Sequence, residues 1–190
     1  MEMVVQQVTS LIEAGSYPMI TGLMILESAL LPVPSEVIMP FSGFLVSRGK
    51  LDLALVVLSG TLGNLIGSLL AYTLGLKITW SPIKNLPLVG REAVRAERFM
   101  AKHGDISVLL GRMMPGVRTF ISLPAGLSRM NPLKFSAYTL IGSIPWNLLM
   151  TYLGVILGEQ WEIISAYLDP LTAAVFLIIL AYFLLRGDEL

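Results

Sequence analysis

The sequence contains no cysteine and only one histidine, His103, among its 190 residues. The lack of cysteine excludes disulfides, thiolate nucleophiles and cysteine-ligated metals, and a single histidine excludes a histidine-rich metal site. Charged residues make up 14% of the chain, whereas a soluble domain carries about 25%. The formal net charge is zero, so the composition gives no sign of a surface for binding nucleic acid.

Hydrophobic residues make up 55% of the chain, and the mean hydropathy is +0.76. These values indicate an all-α integral membrane protein. Leu51–Leu76 and Leu133–Gly158 are each 26 residues long, or about 39 Å of helix, which is enough for one tilted span. We expect a further transmembrane helix at about 170–186. The first 16 residues predict a short amphipathic helix at the membrane interface, or alternatively a packed first helix.

Two apolar stretches, one before each long span, are too interrupted to cross a membrane as straight helices. The first runs from Tyr17 to Ser47 and the second from Ile106 to Met130. Non-helical backbone at membrane depth must be buried in protein or line a wet cavity, so we predict two re-entrant hairpins. Both stretches contain residues expected to break a helix, namely Pro32, Pro34, Pro40, Gly43, Pro115, Gly116, Pro124 and Gly126.

Each predicted hairpin carries charges of one sign. The first contains Glu27 and Glu36, and the second contains Arg112 and Arg118. A charge at the centre of a bilayer costs roughly 3 kcal/mol on insertion scales, so such residues are functional candidates. Arginine matches phosphate geometry with a planar fork of donors, and the two arginines are predicted to bind one anionic group. The carboxylates can exchange protons, because burial disfavours the charged form of a carboxyl group whereas a neighbouring arginine favours it. The structural alternative is a set of ion pairs that only ties the hairpins together.

The two halves of the chain align without a gap at an offset of 83 residues. Identical residues at this offset include Pro32 and Pro115, Gly43 and Gly126, Ala54 and Ala137, Asn64 and Asn147, Leu65 and Leu148, and Gly75 and Gly158. The order of elements also repeats, with a hairpin followed by a 26-residue span. We therefore predict one membrane domain over 1–190 that contains an inverted repeat. Repeat 1 covers about 17–76, a surface amphipathic segment about 77–105, and repeat 2 about 106–158.

The distribution of basic residues predicts the orientation. Residues 77–105 contain six lysines and arginines besides His103, whereas the loop after Gly158 contains none. The positive-inside rule then places 77–105 and the C-terminus in the cytoplasm. The arginine hairpin is expected to open from the cytoplasm and the carboxylate hairpin from outside.

These residues resemble the DedA family, the group with a SNARE-associated or VTT domain. The similarity lies in three segments: Glu27 with Leu31 to Glu36 and Pro40 to Gly43; Gly60 to Gly63 with Tyr72 and Gly75; and Gly111 to Arg118 with Pro124 to Gly126. The resemblance implies a lipid translocase of the bacterial cytoplasmic (inner) membrane, for undecaprenyl phosphate or phosphatidylethanolamine, dependent on proton-motive force. It places the essential acidic pair at Glu27 and Glu36 and the arginine pair at Arg112 and Arg118. Many members carry an aspartate where this chain has Asn64 or Ser68, which leaves coupling and substrate open.

The leading prediction is a proton-coupled translocase in which the arginines bind the lipid phosphate and Glu27 or Glu36 exchanges protons. One alternative is a proton-coupled exporter of a small soluble cation or drug, and another is a membrane structural or assembly factor. An enzyme is disfavoured, because the sequence offers no supported Ser-His pair, metal cluster or phosphate-cradling glycine loop. We expect no cofactor. The glycine-bearing helix faces allow a homodimer without requiring one.

Overall fold

The computed structural model describes residues 2–30, 35–77, 89–114 and 117–158, and all regular structure in these ranges is helical. The helices are α1 (Glu2–Ser28), α2 (Ser35–Ser47), α3 (Leu53–Lys77), α4 (Val89–His103), α5 (Ile106–Arg112), α6 (Val117–Phe120), α7 (Ser122–Leu127) and α8 (Pro132–Ile156). The predicted terminal span at about 170–186 and the C-terminus lie outside the described residues.

The two long spans are confirmed within two residues at each end. By length and composition α3 and α8 are able to cross a membrane. Asn131 caps α8, since its side chain accepts hydrogen bonds from the backbone N–H groups of Leu133 (2.9 Å) and Lys134 (3.2 Å), and Pro132 occupies the first turn.

The N-terminal segment is joined to the first part of the interrupted apolar stretch in one helix, α1, which runs from Glu2 to Ser28. The backbone of Ser16 is non-helical, with φ 49° and ψ −135°, and Pro18 follows two residues later. Proline removes one helical hydrogen bond and restricts the residue before it, which accounts for a kink here. The predicted N-terminal helix is therefore the arm of α1 that precedes this kink.

Four of the expected helix breaks are wrong. Pro40 and Gly43 lie inside α2, and Pro124 and Gly126 lie inside α7. Pro124 is in the first turn of its helix, where a backbone N–H has no helical partner in any case. The chain leaves the helical path instead around Met113–Met114 and at Ser128–Met130. Pro32, Pro34, Pro115 and Gly116 lie outside the described residues.

The two glycines expected to break helices mark close helix crossings instead. A Cβ on Gly43 of α2 would overlap the backbone of α8 beside Gly154, and a Cβ on Gly126 of α7 would overlap the backbone of α3 beside Gly75. Small residues let helix backbones approach closely inside a membrane. Therefore α2 packs on α8, and α7 packs on α3, the long helix of the other half of the chain in each case.

Buried apolar side chains form two clusters. One includes residues of α1, α2 and the start of α3, and the other includes residues of α3 to α8 with the Tyr72 and Phe135 rings stacked at 4.7 Å. Between Val56 and Tyr72, which belong to different clusters, the buried face of α3 carries polar side chains, Thr61, Asn64 and Ser68. The functional candidates lie against this polar face.

Candidate functional site

The structure brings both predicted carboxylates to Arg118. The Nη2 atom of Arg118 lies 2.8 Å from Glu36 Oε1 and 3.4 Å from Glu27 Oε1. The same atom also donates to the hydroxyl of Ser35. Arg118 and Glu27 are 7% and 5% exposed, whereas 54% of the Glu36 side chain is exposed. Three helices, α1, α2 and α6, thus meet at one guanidinium.

Glu27 is held by neutral donors as well as by Arg118. Its Oε1 accepts from the Thr119 hydroxyl (3.1 Å), and its Oε2 accepts from the Ser28 hydroxyl (2.9 Å) and from the Asn64 amide (3.4 Å). Three donors from three helices favour one orientation of the carboxylate. Asn64 also donates to Ser28 at 2.7 Å, which fixes the position of both partners.

Asn64 continues this network into the second half of the chain. Its Oδ1 accepts from Asn147 Nδ2 at 2.9 Å, and the same nitrogen donates to the Thr61 hydroxyl at 3.1 Å. Asn64 and Asn147 are separated by 83 residues, the offset at which the two halves align. Ser35 and Arg118 are separated by the same offset.

Arg112 is close to Arg118 but has different partners. Its Nη1 donates to the backbone carbonyl of Arg118 (2.8 Å), and its Nη2 donates to the hydroxyls of Ser122 (2.8 Å) and Thr139 (3.4 Å). Among the residues that the structure describes, Arg112 forms no ion pair within 4.0 Å of a carboxylate. It is 3% exposed, so a buried cation here is bound only by neutral acceptors. Arg112 therefore holds the backbone of Arg118 in position through a hydrogen bond to its carbonyl.

A small cavity lies at the centre of these residues. Its lining is formed by Glu27, Asn64, Arg112, Arg118, Ser143 and Trp146, and it holds about 210 Å³ of empty space including its open mouth. Much of this space is open to solvent, and the cavity is too small for a whole lipid.

An aromatic side chain of α8 closes the cavity on one side. The guanidinium carbon of Arg118 lies 4.6 Å from the centre of the Trp146 ring, which is within the range of a cation–π contact. The sequence interpretation did not include Trp146 or Asn64 among the site residues. Two signals point to them: an indole N–H in the middle of an apolar span needs a partner, and Asn64 matches Asn147 in the repeat.

Comparison with known proteins identifies the family. The family model described as VTT domain matches residues 33–156. The membrane protein YkoX of Bacillus subtilis is 39% identical over 158 residues, which cover 80% of this chain and 71% of that protein. This chain belongs to the VTT-domain (DedA) family.

Two further relatives carry functional names. Undecaprenyl phosphate transporter A of Bacillus subtilis is 31% identical to this VTT-domain chain, with 81% of this chain and 82% of the relative covered. The protein of the same name from Staphylococcus aureus is 28% identical, with 95% of both covered. No solved structure matches the chain significantly. The assignment to a bacterial membrane is consistent with the two apolar spans.

Proposed function

We propose that this VTT-domain protein moves a phosphate-bearing lipid across the bacterial cytoplasmic membrane. The observation that carries the proposal is the position of Arg118 in the lining of a small polar cavity. Its buried guanidinium is paired there with two carboxylates, those of Glu27 and Glu36. A lipid phosphate presents the same kind of oxygens to arginine as a carboxylate does. The relatives named undecaprenyl phosphate transporter support a lipid phosphate as the substrate. Phosphatidylethanolamine is the other expected substrate.

Arg118 also suggests how transport is coupled to protons. In this structure its Nη2 is occupied by Glu36, Glu27 and Ser35. A phosphate must displace the carboxylates, and protonation removes the negative charge that holds them there. Protonation of Glu27 or Glu36 therefore releases Arg118 for the headgroup. Loading is favoured on the acidic side of the membrane, and transport towards the alkaline side follows.

The small size of the cavity supports transport in which the lipid tail stays outside it. The cavity has no room for a long acyl or prenyl chain. The tail then stays in the bilayer beside the protein, in contact with the exposed apolar side chains of α3 and α8. Moving only the headgroup through the polar centre avoids passing a charge through hydrocarbon, which is the main energetic barrier.

An inverted repeat accounts for the contacts between the two halves. Residues that are equivalent in such a repeat meet each other only near its pseudo-twofold axis, and the pairs Asn64–Asn147 and Ser35–Arg118 have this property. Gly43 and Gly126 are also equivalent positions, and each lies against the long helix of the other half, at partner residues that are one helical turn apart in the repeat. Many transporters place their site at the midplane between such repeats. We infer the same layout, with two re-entrant hairpins entering from opposite sides.

The geometry disfavours the cation exporter. Glu27, the buried carboxylate, already accepts from two hydroxyls and an amide and lies beside Arg118. A cation would need to compete with a guanidinium that cannot lose its charge. The structural alternative keeps support, because the Arg118 pairs connect three helices. If the pair only holds helices together, the double variant Glu36→Arg/Arg118→Glu should recover the function that each single substitution loses. If Arg118 binds substrate, the double variant should be inactive.

The test is a proteoliposome assay with fluorescent undecaprenyl phosphate and a labelled phospholipid, with and without a pH gradient. We expect the phosphate lipid to move faster towards the alkaline side. The variant Arg112→Ala/Arg118→Ala should abolish this movement, whereas Arg129→Ala, at an exposed arginine outside the cavity, should leave it unchanged. Absence of lipid movement under every gradient would contradict the proposed function.

A further inference from the structure

Two buried N–H donors at the cavity lack an acceptor. They are Nε of Arg112 and Nε1 of Trp146, and each finds no hydrogen-bond partner among the described residues. Both residues line the cavity. A buried unsatisfied polar group costs about 1–3 kcal/mol, and such groups in a native structure call for an explanation. A ligand that supplies acceptors is one explanation, and the two groups share a location.

The other donors of Arg112 limit what it can offer. Its two Nη atoms are engaged with a backbone carbonyl and two hydroxyls. Nε is the one nitrogen of this guanidinium without an acceptor among the described residues, so it is the donor that we assign to a ligand. A second donor beside it is needed to hold two oxygens of a headgroup.

Trp146 is suited to supply that second donor. The indole nitrogen is a donor and never an acceptor, so it selects a group that carries acceptors and no proton of its own at that position. The face of the same ring lies 4.6 Å from the Arg118 guanidinium. A cation–π contact of this kind is worth about 0.5–2 kcal/mol, and it does not use the N–H donors of the guanidinium.

We propose that Trp146 is a binding residue for the anionic headgroup. Its N–H, together with Nε of Arg112, donates to phosphate oxygens, and its ring keeps Arg118 at the cavity after the carboxylates release it. This inference rests on the proposed function and adds a residue and a contact mode to it. It also favours an anion over a cation as ligand, because the two unpartnered groups that belong to the cavity lining are both donors.

Binding to the purified full-length protein tests the inference without a transport step. The probes are dodecyl phosphate and inorganic phosphate, measured by titration calorimetry in detergent. Trp146→Phe keeps the ring and removes the N–H, and it should weaken binding of dodecyl phosphate about tenfold, the effect of losing one hydrogen bond to a charged group. Trp146→Leu also removes the ring and should weaken binding further. Tyr152→Phe removes an exposed aromatic donor from the same helix and should have no effect.

The outcomes separate the two proposals. Equal affinity of wild type and Trp146→Phe would overturn the role of Trp146 and leave the proposed function intact. Equal affinity for both probes, with loss in Trp146→Phe, would support the role of Trp146 and contradict a lipid as the source of the phosphate. Absence of binding to wild type, together with no lipid movement in proteoliposomes, would overturn both.

A second measurement avoids dependence on the folding of Trp146→Phe. The chain has three tryptophans, and the variant Trp80→Phe/Trp161→Phe keeps Trp146 as the single fluorophore. Dodecyl phosphate should shift its emission with the same affinity that calorimetry gives. Emission that does not change at saturating dodecyl phosphate would overturn contact between Trp146 and the headgroup.

Discussion

At the scale of single residues, the four predicted charges divide into unequal roles. Arg118 is the shared partner of Glu27 and Glu36, whereas Arg112 is bound by a carbonyl and hydroxyls. The sequence shows which charged side chains lie within apolar stretches, where burying a charge is costly, but it does not show which of them pair with each other. Pairing depends on how α1, α2 and α6 converge, and that follows from the helix crossings rather than from local sequence.

Substitution of Arg118 by lysine tests whether fork geometry matters. We expect Arg118→Lys to lower the rate of lipid-phosphate transport at least about tenfold, since an ammonium is a point charge that cannot serve several acceptors in one plane. Arg129→Lys, an equal change at an exposed arginine, should leave the rate unchanged. Both rates are measured in proteoliposomes of equal protein content, and a fully active Arg118→Lys would contradict a role for the fork.

The two carboxylates should differ in their contribution to stability. Glu27→Ala removes a buried partner of Arg118 and leaves several donors unsatisfied, which should lower the free energy of unfolding by at least about 2 kcal/mol. Glu36→Ala breaks a pair that is half exposed and should cost less than about 1 kcal/mol. Denaturant unfolding in detergent measures both. Equal losses of unfolding free energy in the two variants would show that the exposure of Glu36 does not weaken its ion pair with Arg118.

At the scale of helices, the sequence predicted the bounds of the two long spans well, and it predicted the helix breaks in the two interrupted apolar stretches less well. Apolar length fixed α3 and α8 to within two residues, because a membrane span requires about 20 apolar residues. Proline and glycine were ambiguous signals. The same residue types that break a helix also begin one or allow close packing, and Gly43 and Gly126 do the latter. Only the backbone of the opposite helix distinguishes these uses.

The crossing at Gly126 should not tolerate a methyl group. A Cβ there would overlap the carbonyl of Tyr72, so Gly126→Ala should destabilise the fold by about 1–3 kcal/mol or more. Gly22→Ala is the matched control, since nothing lies within 4 Å of its Cβ and alanine favours a helix by up to about 1 kcal/mol. Thermal unfolding in detergent should therefore shift down for one variant and not for the other.

At the scale of the whole molecule, two pairs of residues that the predicted repeat makes equivalent are in contact, and the sequence did not indicate these contacts. Identities at an offset of 83 residues suggested the alignment, but they did not show that Asn64 would contact Asn147. In the inverted repeat proposed above, whether two equivalent residues touch depends on how the helices of the two halves assemble. Trp146 was missed for a similar reason, because its neighbours across the cavity come from other helices.

The orientation in the membrane can be tested without background labelling, because the chain has no cysteine. In the variant Arg48→Cys, after α2, we expect the new thiol to react with a membrane-impermeant maleimide added to intact cells. In the variant Lys102→Cys, near the end of α4, the thiol should react only after the cells are opened. Both positions are exposed in the structure. The reverse pattern would invert the predicted topology, and labelling of both from outside would contradict the positive-inside assignment.

The contact between Ser35 and Arg118 has an evolutionary consequence. In the inverted repeat proposed above, a symmetric dimer of one half-chain would place two serines or two arginines at these positions, and neither arrangement is the serine–arginine contact found here. Fusion of the halves into one chain allows each position to change alone, so that Arg118 meets Ser35 and the neighbouring Glu36. Asn64 and Asn147 are different, because an amide carries both a donor and an acceptor and can pair with its own copy. The asparagine pair is therefore compatible with two identical halves, whereas the contact between Ser35 and Arg118 requires halves whose sequences differ.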